Sequence, residues 1–89
     1  MFRMWCKLYD DDGHLIKDLV EENPGDMNRT RKVLDGLSSA CRQFDLAEPV
    51  WLDSNIREFK QHSKTRFRKD NFMESVDFEY MEIHVIEED

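Results

Sequence analysis

The sequence predicts an α+β domain: a mostly antiparallel sheet of about four strands, in the order β-β-α-β-α-β, with two helices packed on one face. Three patterns carry this. Apolar and polar residues alternate at both ends of the chain, an Asp-Gly turn follows the first alternating run, and an apolar stripe at helical spacing lies between them. At 89 residues the chain holds one core and reads as a single domain, 1–89.

In residues 1–9, Phe2, Met4, Cys6 and Leu8 fall on one side of a strand. Arg3, Trp5, Lys7 and Tyr9 fall on the other. Asp10-Asp11-Asp12-Gly13 is a hairpin turn, and His14 to Val20 is the return strand. Glu21 to Asp26 reads as a loop in which Asn23 or Asp26 caps the next helix. Met27, Leu34, Leu37, Cys41 and Phe44, widened by Val33 and Ala40, form that helix's apolar stripe. Gly36 inside it implies close packing.

Val50-Trp51-Leu52 reads as a short strand, and Asp53 or Ser54 caps a second helix that buries Ile56 and Phe59 and frays near Ser63. Thr65 to Arg68 is a short extended piece. The last strand, Val76 to Ile86, places Met81, Ile83 and Val85 on its core face. Phe78, Tyr80, Glu82, His84 and Ile86 take the other face.

Charged residues make up 37% of the chain, above the roughly 25% of ordinary domains. The net charge of −7 argues against broad attraction to nucleic acid or an anionic membrane. No apolar run approaches a membrane span, and Met1 to Lys7 does not read as a signal peptide. Cys6 and Cys41 stand alone without a CxxC partner and read as reduced core thiols, which places the protein in the cytoplasm.

The charge is unevenly spread. Residues 55–69 hold Arg57, Lys60, Lys64, Arg66, Arg68 and Lys69 against one acid, Glu58, whereas residues 70–89 hold eight acids and no Lys or Arg. Opposite blocks adjoining in sequence can neutralise each other within the fold. Left open, the basic run is a docking surface for an acidic protein partner. Arg66 and Arg68 are suited to carboxylate or phosphate. Phe67 between them gives the alternative of a weak single-stranded nucleic-acid binder, with cations on phosphates and an aromatic on bases. Trp5 and Tyr9, outward on the first strand, form a second candidate binding surface.

A catalytic reading rests on Tyr80, Glu82 and His84, which share a strand face and require a concavity there. No ligand spacing for a metal is present, and no cofactor-binding motif. The three aspartates at the turn lack a calcium loop's alternating ligands, and Leu15, Ile16 and Leu19 inside the would-be loop read as strand. An edge strand could pair two copies into a homodimer.

Arg3-Met4-Trp5-Cys6-Lys7, Pro49 to Phe59, and Asp77 to Ile83 with Val85 to Asp89 resemble a family of small bacterial proteins of about this length. The resemblance spans nearly the whole chain and implies a stand-alone domain. It supplies no activity, cofactor or site residue. The sequence thus points to a small non-catalytic cytoplasmic interaction module.

Overall fold

The computed structural model describes residues 1–88. Its first two strands, β1 (Phe2–Tyr9) and β2 (Leu15–Asn23), form the expected hairpin. Asp10 closes the turn by accepting the Asp12 and His14 amides at 2.9 Å each, and Gly13 takes φ +81° there. β2 continues through Glu21 and Glu22 to Asn23, residues that read as loop in the sequence. The first helix, α1 (Arg29–Phe44), therefore starts later. Its cap is Asn28, whose side chain accepts the Arg31 amide, and not Asn23 or Asp26.

The second helix, α2 (Asp53–His62), ends on Ser63 in the left-handed conformation, which turns the chain directly into β3 (Lys64–Arg68). Asn55 Oδ1 accepts the Leu52 amide and so caps the helix start, a role expected of Asp53 or Ser54. A 3-10 turn, Lys69–Asn71, precedes β4 (Tyr80–Glu87), which starts later than the expected Val76; Phe78, expected on its outer face, lies before it and is buried edge-on against Phe72.

The four strands make one antiparallel sheet in the order β2-β1-β4-β3, with both helices on one face. Along the chain the elements run β-β-α-α-β-β. Val50-Trp51-Leu52 joins no strand, and the short extended piece at 64–68 supplies the fourth. Val50 is instead pinned by Asn71: the Val50 amide donates to the Asn71 carbonyl at 2.7 Å, and the Asn71 side-chain amide donates to the Val50 carbonyl at 2.8 Å.

The core lies between the helices and one face of the sheet. β1 contributes Phe2, Met4, Cys6 and Leu8, β4 contributes Met81, Ile83 and Val85, and β3 contributes Thr65 and Phe67. Val33, Leu37, Ala40, Cys41 and Phe44 of α1 cover it, with Phe59 of α2 and with Phe72 and Phe78 from the connection to β4. Leu34 and Ile56, expected inside, are exposed, and Met27 lies before the helix and is exposed too. Gly36 admits the close approach of α1 to the sheet, since a Cβ there would lie 3.0 Å from Met4 Cε.

Both cysteines are free and buried. Burial, with Glu21 nearby, pushes the Cys6 thiol up to about 12; burial, with Glu48 nearby, pushes Cys41 to about 11. Neither is a thiolate at neutral pH. Among the described residues no helix is long and apolar enough to cross a membrane.

Candidate functional site

With both helices on one side, the other side of the sheet is left uncovered. Strand alternation puts Trp5, Lys7 and Tyr9 of β1, Tyr80, Glu82 and His84 of β4, and Lys64, Arg66 and Arg68 of β3 on it. The registers align these side chains into three rows across the strands: Arg68–Tyr80–Tyr9, Arg66–Glu82–Lys7 and Lys64–His84–Trp5. Two candidate surfaces that lie far apart in sequence, the basic run and the Trp5/Tyr9 pair, therefore meet on one face.

The middle row is its anchor. Glu82 receives Lys7 Nζ on one oxygen at 2.9 Å and Arg66 Nε on the other at 3.0 Å. Desolvation alone would raise the Glu82 carboxyl, but hydrogen bonds and charge from Lys7 and Arg66 outweigh it and hold the group below the usual carboxylate range. Lys7 balances likewise: burial pulls it down, and Glu82 takes it net upward. Arg66 is raised by its hydrogen bond to Glu82.

The aromatic side chains flank this anchor. Tyr9 and Tyr80 stack with ring centroids 4.9 Å apart, and the Arg66 and Arg68 guanidinium carbons lie 4.7 and 5.6 Å from the Tyr80 centroid. Lys7 Nζ sits 3.9 Å from the Trp5 centroid, and the Trp5 indole donates to Asp18 at 2.8 Å. Burial, and then the charges of Lys64 and Lys7, depress His84 below the ordinary imidazole value.

Beside this face, along the outer edge of β3, runs a groove of about 370 Å³. Lys64, Arg66 and Arg68 line it from the strand, and Ser54, Glu58 and His62 from α2. Its floor is an amide network. Asn55 Nδ2 donates to Thr65 Oγ1 at 2.9 Å and to the Arg66 carbonyl at 3.0 Å, and Asn55 Oδ1 accepts from Asn71 Nδ2 at 2.8 Å.

The basic run is therefore divided. Lys64, Arg66 and Arg68 form a strip on the open face. Arg57 and Lys60 are exposed on α2 in the helical layer, and Lys60 borders an apolar cleft between the helices lined by Leu34, Trp51, Ile56 and Phe59. Lys69 pairs with Glu79 at 3.6 Å. Phe67 is fully buried, edge-on to Trp51 with centroids 5.0 Å apart, because it alternates inward between Arg66 and Arg68. It offers no face to a base.

Of the Tyr80, Glu82 and His84 row, only Glu82 borders the groove, and its carboxylate is engaged by two cations. Asp10, Asp12 and His14 bring their side-chain ligand atoms within 4.8 Å of one another at the hairpin turn. There the Asp10 carboxylate serves the turn amides.

Lys7, Glu82, Asn55 and Asn71 do not stand out from the sequence as a group. For the strip the signal is present: Lys-Thr-Arg-Phe-Arg alternates strictly, which sends Phe67 inward and the three cations outward. For Lys7 and Glu82 nothing short of the strand register reveals the pairing.

No protein-family model matches the chain, and neither a curated protein nor a solved structure does.

Proposed function

We propose that the protein is a small non-catalytic interaction module that docks an acidic polypeptide segment on the open sheet face. The observation that carries this reading is the strip Lys64, Arg66 and Arg68, side by side at the sheet margin, with Arg66 held by Glu82 and backed by Tyr80. A guanidinium fixed at Nε keeps its terminal N–H groups for an incoming carboxylate. A local cationic strip on a chain of net charge −7 favours a partner that engages it at short range.

An acidic segment suits the face better than single-stranded nucleic acid does. Base stacking needs a free ring face. Tyr80 is flanked by Tyr9 and two guanidinium groups, Trp5 carries Lys7, and Phe67 is inside. Carboxylates need only the cations. A reducing compartment such as the cytoplasm fits the two free buried thiols.

The test is fluorescence anisotropy with a labelled oligoglutamate peptide and, in parallel, a labelled oligothymidylate, at low salt. The peptide should bind, and Lys64→Glu with Arg68→Glu should abolish binding while leaving the Lys7–Glu82–Arg66 group intact. Binding of the oligonucleotide alone would replace this reading with the nucleic-acid one. Binding of neither would remove the strip as a docking surface.

A further inference from the structure

The two edges of the sheet are treated differently. Along β3, side chains take the outward backbone groups: the Arg66 amide donates to Glu58 at 3.3 Å, the Arg66 carbonyl accepts from Asn55, and the Arg68 amide donates to Asn71 at 2.9 Å. That edge is closed to another strand. Along β2, among the described residues, nothing outside the β1–β2 ladder bonds to the backbone of Leu15 to Glu22. This edge is nine residues long, and Leu15, Ile16 and Val20 on it are 47%, 47% and 46% exposed. An open edge of that kind is a template for pairing.

We propose that β2 pairs antiparallel with β2 of a second copy, about a two-fold axis at Leu19 normal to the sheet. The charges on β2 select this register. A two-fold axis normal to the sheet sets the central residue opposite itself and pairs only residues on the same face. Centred on Lys17, Asp18, Glu21 or Glu22, each arrangement sets that charge against its own copy, and Leu15 and Ile16 lie at the bulge, where the ladder is irregular. Centred on Val20, Asp18 faces Glu22. Centred on Leu19, Lys17 faces Glu21 twice, Leu19 faces Leu19, Asp18 faces Val20, and no like charges meet.

Lys17, Leu19 and Glu21 share the helix side of the sheet, opposite Leu8, Cys6 and Met4 in the hairpin register. The two salt bridges would thus bracket the paired leucines on that side. Both helical layers fall on one side of the joined sheet, and the two open faces run together on the other. Strand pairing alone buries little surface, so the dimer is a weak one that forms on concentration.

A lysine on an edge strand ordinarily blocks pairing, and the test separates that role from this one. Sedimentation equilibrium of the full chain should show a monomer passing to a dimer as concentration rises. Lys17→Glu and Glu21→Lys should each weaken the dimer by about tenfold or more, since two attractive cross-strand pairs become repulsive. An equimolar mixture of the two variants should form a heterodimer at the native concentration. One chain then carries acids at both positions and the other carries lysines at both, so each facing pair is again attractive. Circular dichroism melts confirm that both variants are folded. A native chain that stays monomeric at every concentration overturns the proposal. So does a Lys17→Glu variant that associates as well as the native chain, or a mixture of folded variants that stays monomeric.

Discussion

Lys7 holds its ammonium 2.9 Å from the Glu82 carboxylate, and the two side chains are only 10% and 8% exposed although they lie on the uncovered side of the sheet. The Trp5 and Tyr9 rings flank the ammonium, with centroids 3.9 and 5.8 Å from it. An ion pair so enclosed contributes little net stability over an apolar pair of the same shape, but breaking it on one side leaves a charge without water or partner.

Glu82→Gln is therefore expected to cost about 3 kcal/mol, because Lys7 loses its counter-charge and Arg66 its anchor together. Lys7→Met should cost less, since Glu82 keeps Arg66 at 3.0 Å. Urea denaturation of the two variants checks the order. Equal losses would mean that Arg66 does not hold Glu82.

The shifted groups also fix the sign of the pH response. His84 is depressed below its ordinary 6.5, so the unfolded chain takes up that proton first, and stability falls as pH drops through 6.5. Glu82 is depressed below its ordinary 4.5, so its contribution is complete above 4.5 and is lost as pH falls through the folded value. Lys7 is raised above 10.5, so its contribution is complete below 10.5 and is lost at higher pH. Denaturation midpoints measured against pH should show two acid-side descents. His84→Gln should remove the upper one and Glu82→Gln should shrink the lower, which Asp10 shares because the amides of the turn, His14 first, hold its carboxyl below the usual range too. A flat profile between pH 7 and 5.5 in the native chain would contradict the His84 assignment.

The strands at the two ends are legible because each buries one face and wets the other, but the alternation from Val76 overruns at the start: β4 begins at Tyr80, and Phe78, read as outward, packs into the core ahead of it. β2 reads as ending at Val20 because Glu21 and Glu22 look like loop. Yet Glu21 lies against α1, where Gln43 donates to it at 2.7 Å, and only the fold brings that helix there. Val50 to Leu52 is apolar enough for a strand, but the Val50 hydrogen bonds go to Asn71, twenty-one residues on, and those of Leu52 to the start of α2. Helical spacing alone puts Leu34 and Ile56 in the core. Both face the cleft between the helices, which the sheet does not fill. The site is legible as two halves, the cations and the Trp5/Tyr9 pair. Their meeting on one face depends on β4 lying between β1 and β3, a long-range fact that no local pattern carries.

Asn55 uses its full hydrogen-bonding capacity: two donated bonds, to Thr65 Oγ1 and the Arg66 carbonyl, and two accepted, from the Leu52 amide and Asn71 Nδ2. It joins the start of α2, the edge of β3 and the turn after it. Asn55→Ala should cost about 3 kcal/mol, and Asn55→Asp at least as much, because a carboxylate cannot donate to the Arg66 carbonyl and would be buried. Thr65→Val removes one of the four bonds and should cost roughly 1 kcal/mol. Thermal melts rank the three. An Asn55→Asp variant as stable as the native chain would mean that the amide's donors are not needed.

Gly36 sets a different balance, between helix propensity and the approach of α1 to β1. Alanine at a helix interior gains about 1 kcal/mol over glycine. The added Cβ would lie 3.0 Å from Met4 Cε and 3.5 Å from Glu21 Cβ. The methyl end of a methionine is flexible and can swing aside, so Gly36→Ala should fall within about 1 kcal/mol of the native chain. Gly36→Val adds two further carbons that Met4 cannot clear, and overpacking there should cost about 1–3 kcal/mol. Of the atoms around that Cβ only Met4 Cε lies closer than ordinary contact, so Met4→Ala made together with Gly36→Val should cost measurably less than the two single losses added. Strict additivity in that cycle would show that the valine strains α1 against some other neighbour, and that Met4 is not what keeps position 36 a glycine.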